Sequence, residues 1–157
     1  MNPPKTYSLD EAQKVLEKYC AYQERCHKDV KDKLKTMRMI PETIDVIIAH
    51  LIEQNYLNEE RFAKAFARGK FRIKKWGKNR IVRELKFREI SKYSIDSALK
   101  EIDDNTYFET LHELTEKRIS QVKENNTYKK KKKVADYLLY RGWESNLVYE
   151  KLNELMK

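Results

Sequence analysis

The sequence predicts an all-α protein, built as an elongated tandem array of three three-helix repeats. Three observations lead to this prediction. The 157 residues include only three Gly and three Pro, so few residues interrupt long helices. Charged residues make up 38% of the chain, above the roughly one quarter usual for a compact domain, which favours an extended array. The third observation is a spacing of apolar residues that occurs three times.

This repeated pattern has five apolar residues separated by 4, 5, 5 and 4 positions, with a sixth three positions later. A spacing of four keeps two side chains on one helical face, and two successive spacings of five break that phase. Each pattern therefore predicts two helices joined by a turn near its third residue. The three sets are Val30, Leu34, Met39, Ile44, Ile48 and Leu51; Ile81, Leu85, Ile90, Ile95, Leu99 and Ile102; and Val134, Leu138, Trp143, Val148, Leu152 and Leu155.

A further helical stretch is expected before each pair, which gives three helices per unit. Such units are too small to bury much core alone, so neighbouring units are expected to stack. A single irregular bundle with accidental spacing is the alternative. The leading helices are expected at about 9–26, 59–75 and 107–123. The predicted units are residues 1–57, 58–104 and 105–157.

Signals for helix starts and ends fit this division. Gly142 offers the left-handed conformation that ends a helix before Trp143. Arg38 and Glu89 occupy the equivalent places, so the helix ends of the first two units are expected to differ. The expected start signals are a capping box at Ser8 to Glu11, a first-turn Pro41, and N-caps at Asn58, Ser94 and Ser145.

The second unit contains both an apolar stripe and a dense basic block. Phe62, Phe66, Gly69 and Ile73 follow helical spacing and predict one inward-facing stripe. Residues 68–88, RGKFRIKKWGKNRIVRELKFR, contain ten Lys or Arg and one acid, a local charge of +9 that equals the net charge of the chain. Like charges one helical turn apart repel each other, so cations without acidic partners favour an anionic ligand. A solvated polar face is the alternative.

The block and a second run, KKKKK at 129–133, predict a phosphate-binding surface that reads little sequence. A flexible linker or a nuclear-localisation tract is the alternative for the run. Trp76 is a candidate for stacking on unpaired bases, with packing at the helix end as the alternative. The predicted contact residues are Lys64, Arg68, Arg72, Lys74, Lys75, Lys78, Arg80, Arg83, Lys86, Lys129, Lys130, Lys131, Lys132 and Lys133.

No catalytic or metal-binding pattern stands out, so we expect no enzyme activity, cofactor or metal. His27, His50 and His112 are scattered, and no phosphate-binding glycine loop or zinc spacing occurs. Cys20 and Cys26 lie six residues apart and are expected to be free thiols. No secretory signal or membrane-spanning run is recognised, so a cytoplasmic protein without membrane contact is expected. We also expect a monomer.

Residues 56–70, YLNEERFAKAFARGK, and 76–90, WGKNRIVRELKFREI, carry a family pattern: a Leu, an acidic pair, Arg-Phe-Ala, an Arg-rich helix and a Gly-x-x-x-Ile-x-x-Glu-Leu segment. With it the chain resembles the bacterial RecX regulatory proteins, modulators of the RecA recombinase. Asn58 departs from the usual Asp. Arg38, Asn55 and Glu89 occupy turn positions where the family often has Gly. The matching residues are Leu57, Glu59, Glu60, Arg61, Phe62, Ala63, Phe66, Arg68, Gly77, Ile81, Glu84 and Leu85.

The resemblance implies a curved, elongated array of three-helix repeats that binds in the groove of the RecA–DNA filament. It further implies suppression of the filament's ATPase, strand-exchange and coprotease activities, with an ability to bind DNA. Whether that DNA is single- or double-stranded is left open. One rival is a free-standing helical DNA-binding protein of the helix-turn-helix kind, without a recombinase partner. Another is a scaffold for acidic proteins.

Overall fold

The structure, a computed structural model, describes residues 5–157, and within that range the protein is all-helical, without strands. The helices are α1 (Leu9–Tyr22), α2 (His27–Thr36), α3 (Pro41–Glu53), α4 (Glu59–Gly69), α5 (Lys78–Phe87), α6 (Lys92–Leu99), α7 (Asp104–Gln121), α8 (Thr127–Tyr140) and α9 (Ser145–Leu155). A π-helical turn, Lys70–Lys74, extends α4. The first unit holds α1 to α3, the second α4 to α6, and the third α7 to α9.

The predicted repeat of two helices and a turn is confirmed in all three units. In each unit the third apolar residue of the pattern lies just beyond the end of a helix, and the remaining residues lie on the two helices around it, except Ile102, which follows the end of α6. Most side chains of the pattern are buried, while Met39, Leu99 and Leu155 are partly buried. The predicted unit boundaries at residues 57/58 and 104/105 stay predictions.

The buried side chains form two separate clusters. The first unit has its own core, which includes Leu16, Leu34 and Ile47. The second and third units share one continuous core, in which Phe71 packs against Tyr107 and Trp143. The accessible surface is 10384 Å², compared with about 8,400 Å² expected for a compact monomer of this mass, which agrees with the predicted elongated shape.

The turn after the second helix of each unit is left-handed in all three units. The expectation that the first two units end this helix differently from the third is therefore wrong. Arg38, Glu89 and Gly142 all have a positive φ, of 61°, 62° and 95°. In each turn the next residue donates its N–H to a carbonyl oxygen five residues earlier, at 3.1 Å in all three units. This is the hydrogen bond of a Schellman motif, and it stabilises the left-handed residue whether or not that residue is glycine.

Most of the predicted helix starts are confirmed, and two are wrong. Ser8 forms its capping box, Pro41 begins α3, and Asn58 accepts from the Arg61 N–H at 2.8 Å. Ser94 is the third residue of α6 rather than its N-cap, and its hydroxyl donates to the Glu59 carboxylate of α4 at 3.0 Å.

The residues that hold the N-cap positions at these two starts differ from the predicted ones. Ser91 caps α6 by accepting from the Ser94 N–H at 3.3 Å. Ser145 is the first residue of α9, and Glu144 precedes it in the extended conformation of an N-cap.

The first helix ends earlier than predicted because Cys26 caps α2. The Cys26 sulfur accepts from the Asp29 N–H at 3.4 Å, and the Asp29 carboxylate accepts from the Cys26 N–H at 3.2 Å. Cys20 and Cys26 are free, as expected, and lie in different cores. Burial raises the pKa of each thiol to about 11, so both stay protonated at neutral pH.

The apolar stripe of α4 differs from its prediction at its C-terminal end. Phe62 is buried and Phe66 is partly buried, but Ile73 is 75% exposed and Phe71 is buried instead. The π-helical turn accounts for this difference, because its wider winding shifts the residues that follow it around the helix axis. The assignment of Ile73 to the core was therefore wrong.

This phase shift predicts a large loss of stability for one substitution and almost none for another. Phe71→Ala should lower the free energy of unfolding by about 3–5 kcal/mol, because it empties a site between two aromatic rings. Ile73→Ala should change it by less than about 0.5 kcal/mol, because that side chain is mostly in water. Urea unfolding followed by circular dichroism measures both values. A larger loss for Ile73→Ala than for Phe71→Ala would contradict the π-helical turn.

Gly142 should be far less tolerant of a side chain than Gly69. A Cβ on Gly142 would lie 2.2 Å from the Arg80 Cβ and 2.4 Å from its backbone nitrogen, in a backbone conformation that already disfavours L-residues. We expect Gly142→Ala to cost about 2–5 kcal/mol of stability. Gly69→Ala is the matched control: nothing lies within 4 Å of its added Cβ, so it should stabilise the helix by up to about 1 kcal/mol. Equal melting temperatures of the two variants would exclude the close approach.

Candidate nucleic-acid interface

The basic block lies at the junction between the second and third units. Here the end of α8 meets the start of α5. The Gly77 N–H donates to the Arg141 carbonyl oxygen at 2.9 Å. The Asn79 N–H donates to the Gly142 carbonyl oxygen, also at 2.9 Å. The third unit thus supplies the acceptors that a local N-cap side chain normally provides, and the opposite ends of two helix dipoles face each other.

Two aromatic residues complete this junction. The Tyr107 hydroxyl accepts from the Lys78 N–H at 2.8 Å and donates to the Glu144 carboxylate. Burial, together with the hydrogen bond to Glu144, raises the pKa of Tyr107 above its usual range and keeps the hydroxyl protonated. Trp143 stacks on Tyr107 with ring centroids 4.5 Å apart, and its indole N–H donates to the Lys75 carbonyl oxygen at 3.1 Å.

These contacts determine how an anion could be bound here. The free N–H groups at a helix N-terminus commonly bind phosphate. At α5 the N–H groups of Gly77, Lys78 and Asn79 are already used by the third unit. Any phosphate contact by this block therefore depends on the Lys and Arg side chains around the junction.

Several of the predicted cations have acidic partners, which corrects the view that the block lacks them. Glu101, close to the block in space but distant in sequence, accepts from Arg68 at 2.8 Å. These pairs are at the surface, where each contributes at most about 1 kcal/mol. The other pairs are Lys64 with Glu60 at 3.3 Å, Lys78 with Asp104 at 3.7 Å, Lys132 with Asp136 at 3.3 Å and Lys133 with Glu124 at 3.0 Å.

The remaining predicted cations form no ion pair among residues 5–157. Lys130 and Lys131 are partly buried, and the Lys131 ammonium lies 3.4 Å from the Asn153 side-chain oxygen. Arg80 is also partly buried, and its guanidinium lies over aromatic rings. The exposed ones are Arg72, Lys74, Lys75, Arg83, Lys86 and Lys129.

Trp76 is partly buried and covered by cationic groups. The Arg80 guanidinium lies 4.3 Å from the ring centroid, and the Lys70 ammonium lies 5.1 Å from it. Its edge packs against Phe66 at 6.2 Å between centroids. A base would have to displace a cation to stack on this ring, and stacking by Trp76 stays a prediction.

The structure brings the two basic segments together at a groove in the third unit. The Arg80 guanidinium of the block lies 5.0 Å from the centroid of the Tyr140 ring, which is 72% exposed. Lys133 of the lysine run lines the same groove. The groove has a volume of about 710 Å³. Its lining residues are Arg118, Gln121, Val122, Lys133, Asp136, Tyr137, Tyr140 and Arg141.

Sequence reasoning missed most of this groove. Tyr140 and Arg141 follow Tyr137 by three and four positions at the end of α8, a spacing that places them on one helical face. That spacing was the available signal. No sequence pattern indicates that Arg118 of α7 belongs to the groove, because only the packing of α7 against α8 brings it to Tyr137.

Residues 5–157 contain no group of three or more His, Cys, Asp or Glu side chains arranged to hold a metal ion. Within the same part of the chain, no helix is both long enough and apolar enough to cross a membrane.

Several known proteins are similar to this chain in sequence. Proteins named regulatory protein RecX match it from Clostridioides difficile (28% identity over 136 residues, covering 87% of this chain and 64% of that protein) and Lactobacillus gasseri (29% over 138 residues, 86% and 51%). A third, from Clostridium perfringens, is 30% identical over 122 residues, which cover 76% of this chain and 57% of that protein. The chain thus spans about half to two thirds of the length of these curated relatives.

Two solved structures share its fold. The crystal structure of RecX from Lactobacillus salivarius superposes with a TM-score of 0.81 at 24% identity, covering 94% of this chain and 96% of that one. A crystal structure of regulatory protein RecX gives a TM-score of 0.84 at 23% identity, covering 93% of this chain and 73% of that one. Both confirm the tandem three-helix architecture.

Family models match the second and third units in turn. The model of the second three-helix domain of RecX matches residues 58–99, and the model of the third three-helix domain matches residues 105–152. Together they cover more than half of the sequence, in the order in which the domains follow each other in that family. The chain therefore belongs to the RecX family.

Proposed function

We propose that this chain is a non-enzymatic regulator that binds the RecA nucleoprotein filament and inhibits its recombinase, ATPase and coprotease activities. The observation that carries this proposal is the match of two consecutive RecX domains. The name of these relatives, regulatory protein RecX, supports the same role. The proposed partner implies that the protein acts in the cytoplasm, and we expect it to act as a monomer.

The basic side chains give this regulator a sequence-nonspecific contact with DNA. Exposed cations without acidic partners, such as Arg72, Lys74 and Arg83, are available to phosphates without breaking an ion pair first. They belong to the second unit, which shares one core with the third, so its basic side chains and those of the lysine run are carried by one packed body. Contacts of this kind release counterions and weaken steeply as salt rises.

The activity test is the hydrolysis of ATP by RecA filaments assembled on single-stranded DNA. Adding the purified protein at a stoichiometric ratio to RecA should lower the rate of hydrolysis, because the protein occupies the filament. The protein alone should hydrolyse no ATP. An unchanged filament ATPase, together with tight and sequence-selective binding to duplex DNA, would instead favour the free-standing DNA-binding protein.

The basic surface is tested by removing three unpaired cations at once. Arg72→Ala, Lys74→Ala and Arg83→Ala in one protein should weaken DNA binding. They should also lower the slope of log affinity against log salt by about 2 to 3, because up to three phosphate contacts are lost. Fluorescence anisotropy of labelled DNA, measured at several salt concentrations, gives both quantities.

A matched control removes the same total charge elsewhere. Lys28, Lys92 and Lys151 are each ion-paired with a nearby acid, at 3.1, 2.7 and 3.0 Å. Their combined change to Ala should leave the salt slope almost unchanged. Equal losses in the two triple variants would mean that net charge alone, rather than the placement of the basic side chains, determines binding.

A further inference from the structure

The groove between α7 and α8 combines an open aromatic ring with cationic side chains. Tyr140 is 72% exposed, and the Arg80 guanidinium lies 5.0 Å from its ring centroid. The Arg80 side chain also donates to the Tyr140 carbonyl oxygen at 3.4 Å, which fixes its position beside the ring. Much of the Tyr140 ring is therefore left open to a planar ligand.

Two further guanidinium groups lie deeper in the groove. Those of Arg118 and Arg141 lie 4.2 and 4.3 Å from the centroid of the Tyr137 ring. Within residues 5–157 neither side chain forms an ion pair or a hydrogen bond, and the Arg118 Nε is buried without an acceptor. Two like charges thus lie against the same ring without an acidic partner, an arrangement that an anion would stabilise.

The acidic residues near the groove do not cancel this charge. Asp136 lines the groove and is paired with Lys132, while Lys133 is paired with Glu124. Arg118 and Arg141 remain as uncompensated positive charges. The groove is consequently complementary to a ligand that carries both phosphates and flat rings.

An unpaired nucleotide strand has this combination, because its base faces are open and its phosphates follow at regular intervals. A duplex hides the faces of its bases by stacking, and an acidic peptide has no regular alternation of flat rings and phosphates. Arginine planes and aromatic rings are the groups on which proteins stack single-stranded bases.

We propose that this groove binds single-stranded nucleic acid, with an unpaired base stacked on Tyr140 and phosphates contacted by Arg118 and Arg141. The inference rests on the proposed function and deepens it, because it assigns a strandedness and a base-contacting residue to the DNA binding. It also connects the groove to the basic block through Arg80, so a strand leaving Tyr140 meets the second unit next.

The test compares Tyr140→Ala with a control, Tyr93→Ala. Tyr93 is also 72% exposed, but it lies on α6 and does not line the groove. Binding of each variant is measured by anisotropy with a thymidine oligonucleotide of about 15 nucleotides and with an abasic strand of equal length. Tyr140→Ala should weaken binding to the thymidine strand by roughly fivefold to a hundredfold and leave the abasic strand unchanged. Tyr93→Ala should change neither.

Arg118→Gln separates phosphate contact from base stacking. It should weaken binding to both strands by a similar factor and lower the salt slope by about 1, because one phosphate contact is lost. The inference is overturned if wild-type protein binds thymidine and abasic strands equally, if Tyr140→Ala behaves like Tyr93→Ala, or if Arg118→Gln leaves the abasic strand unaffected.

The filament assay keeps this inference separate from the proposed function. If wild-type protein inhibits RecA filaments but binds the thymidine and abasic strands equally, the proposed base-binding groove is wrong and the proposed regulatory function stands. If wild-type protein binds the thymidine strand more tightly but does not affect the filaments, the proposed regulatory function is wrong and the proposed base-binding groove is supported. Because Tyr140 and Tyr93 are both mostly exposed, we expect their variants to fold. Circular dichroism melts of all variants check this.

Discussion

The contact between the end of α8 and the start of α5 is the constraint on which the rest of the structure depends. The α5 N-terminus has no capping side chain at Gly77, and carbonyl oxygens of the third unit accept from its N–H groups instead. The close contact between Gly142 and Arg80 of α5 requires that residue 142 have no Cβ. It also brings Trp143 into the shared core, where the stacked Tyr107 hydrogen-bonds to α5 as well. The second and third units are thereby joined into one body, while the first keeps its own core.

This junction also determines where charge is available. With the N–H groups of α5 occupied, anion binding depends on side chains. The packing of α4 against α6 pairs Arg68 with Glu101 and leaves Arg72 in water. Docking of the third unit then places Arg80 between Trp76 and Tyr140, which connects the basic block to a groove on the neighbouring unit. One tertiary contact therefore arranges two basic segments that are distant in sequence.

The failures of prediction have local physical causes. The apolar period of α4 was extended to Ile73, but a π-helical turn rotates the chain and buries Phe71. The assumption that only glycine ends a helix in the left-handed region failed at Arg38 and Glu89. There, the N–H of the following residue donates to a carbonyl oxygen five residues earlier and stabilises the turn. Charge counted along the sequence could not reveal the partner of Arg68, because only folding brings Glu101 next to it.

The sequence by itself determined the helical class, the threefold repeat and the family. Helical periodicity and turn spacing are local properties, and the motif at 56–90 is contiguous. The location of the basic residues was equally clear. Only the tertiary structure decided which cations are paired, that Trp76 is covered, and that Arg118 meets Tyr137 in a groove. These features depend on contacts between helices far apart in sequence, and no local pattern of residue types encodes the distances between them.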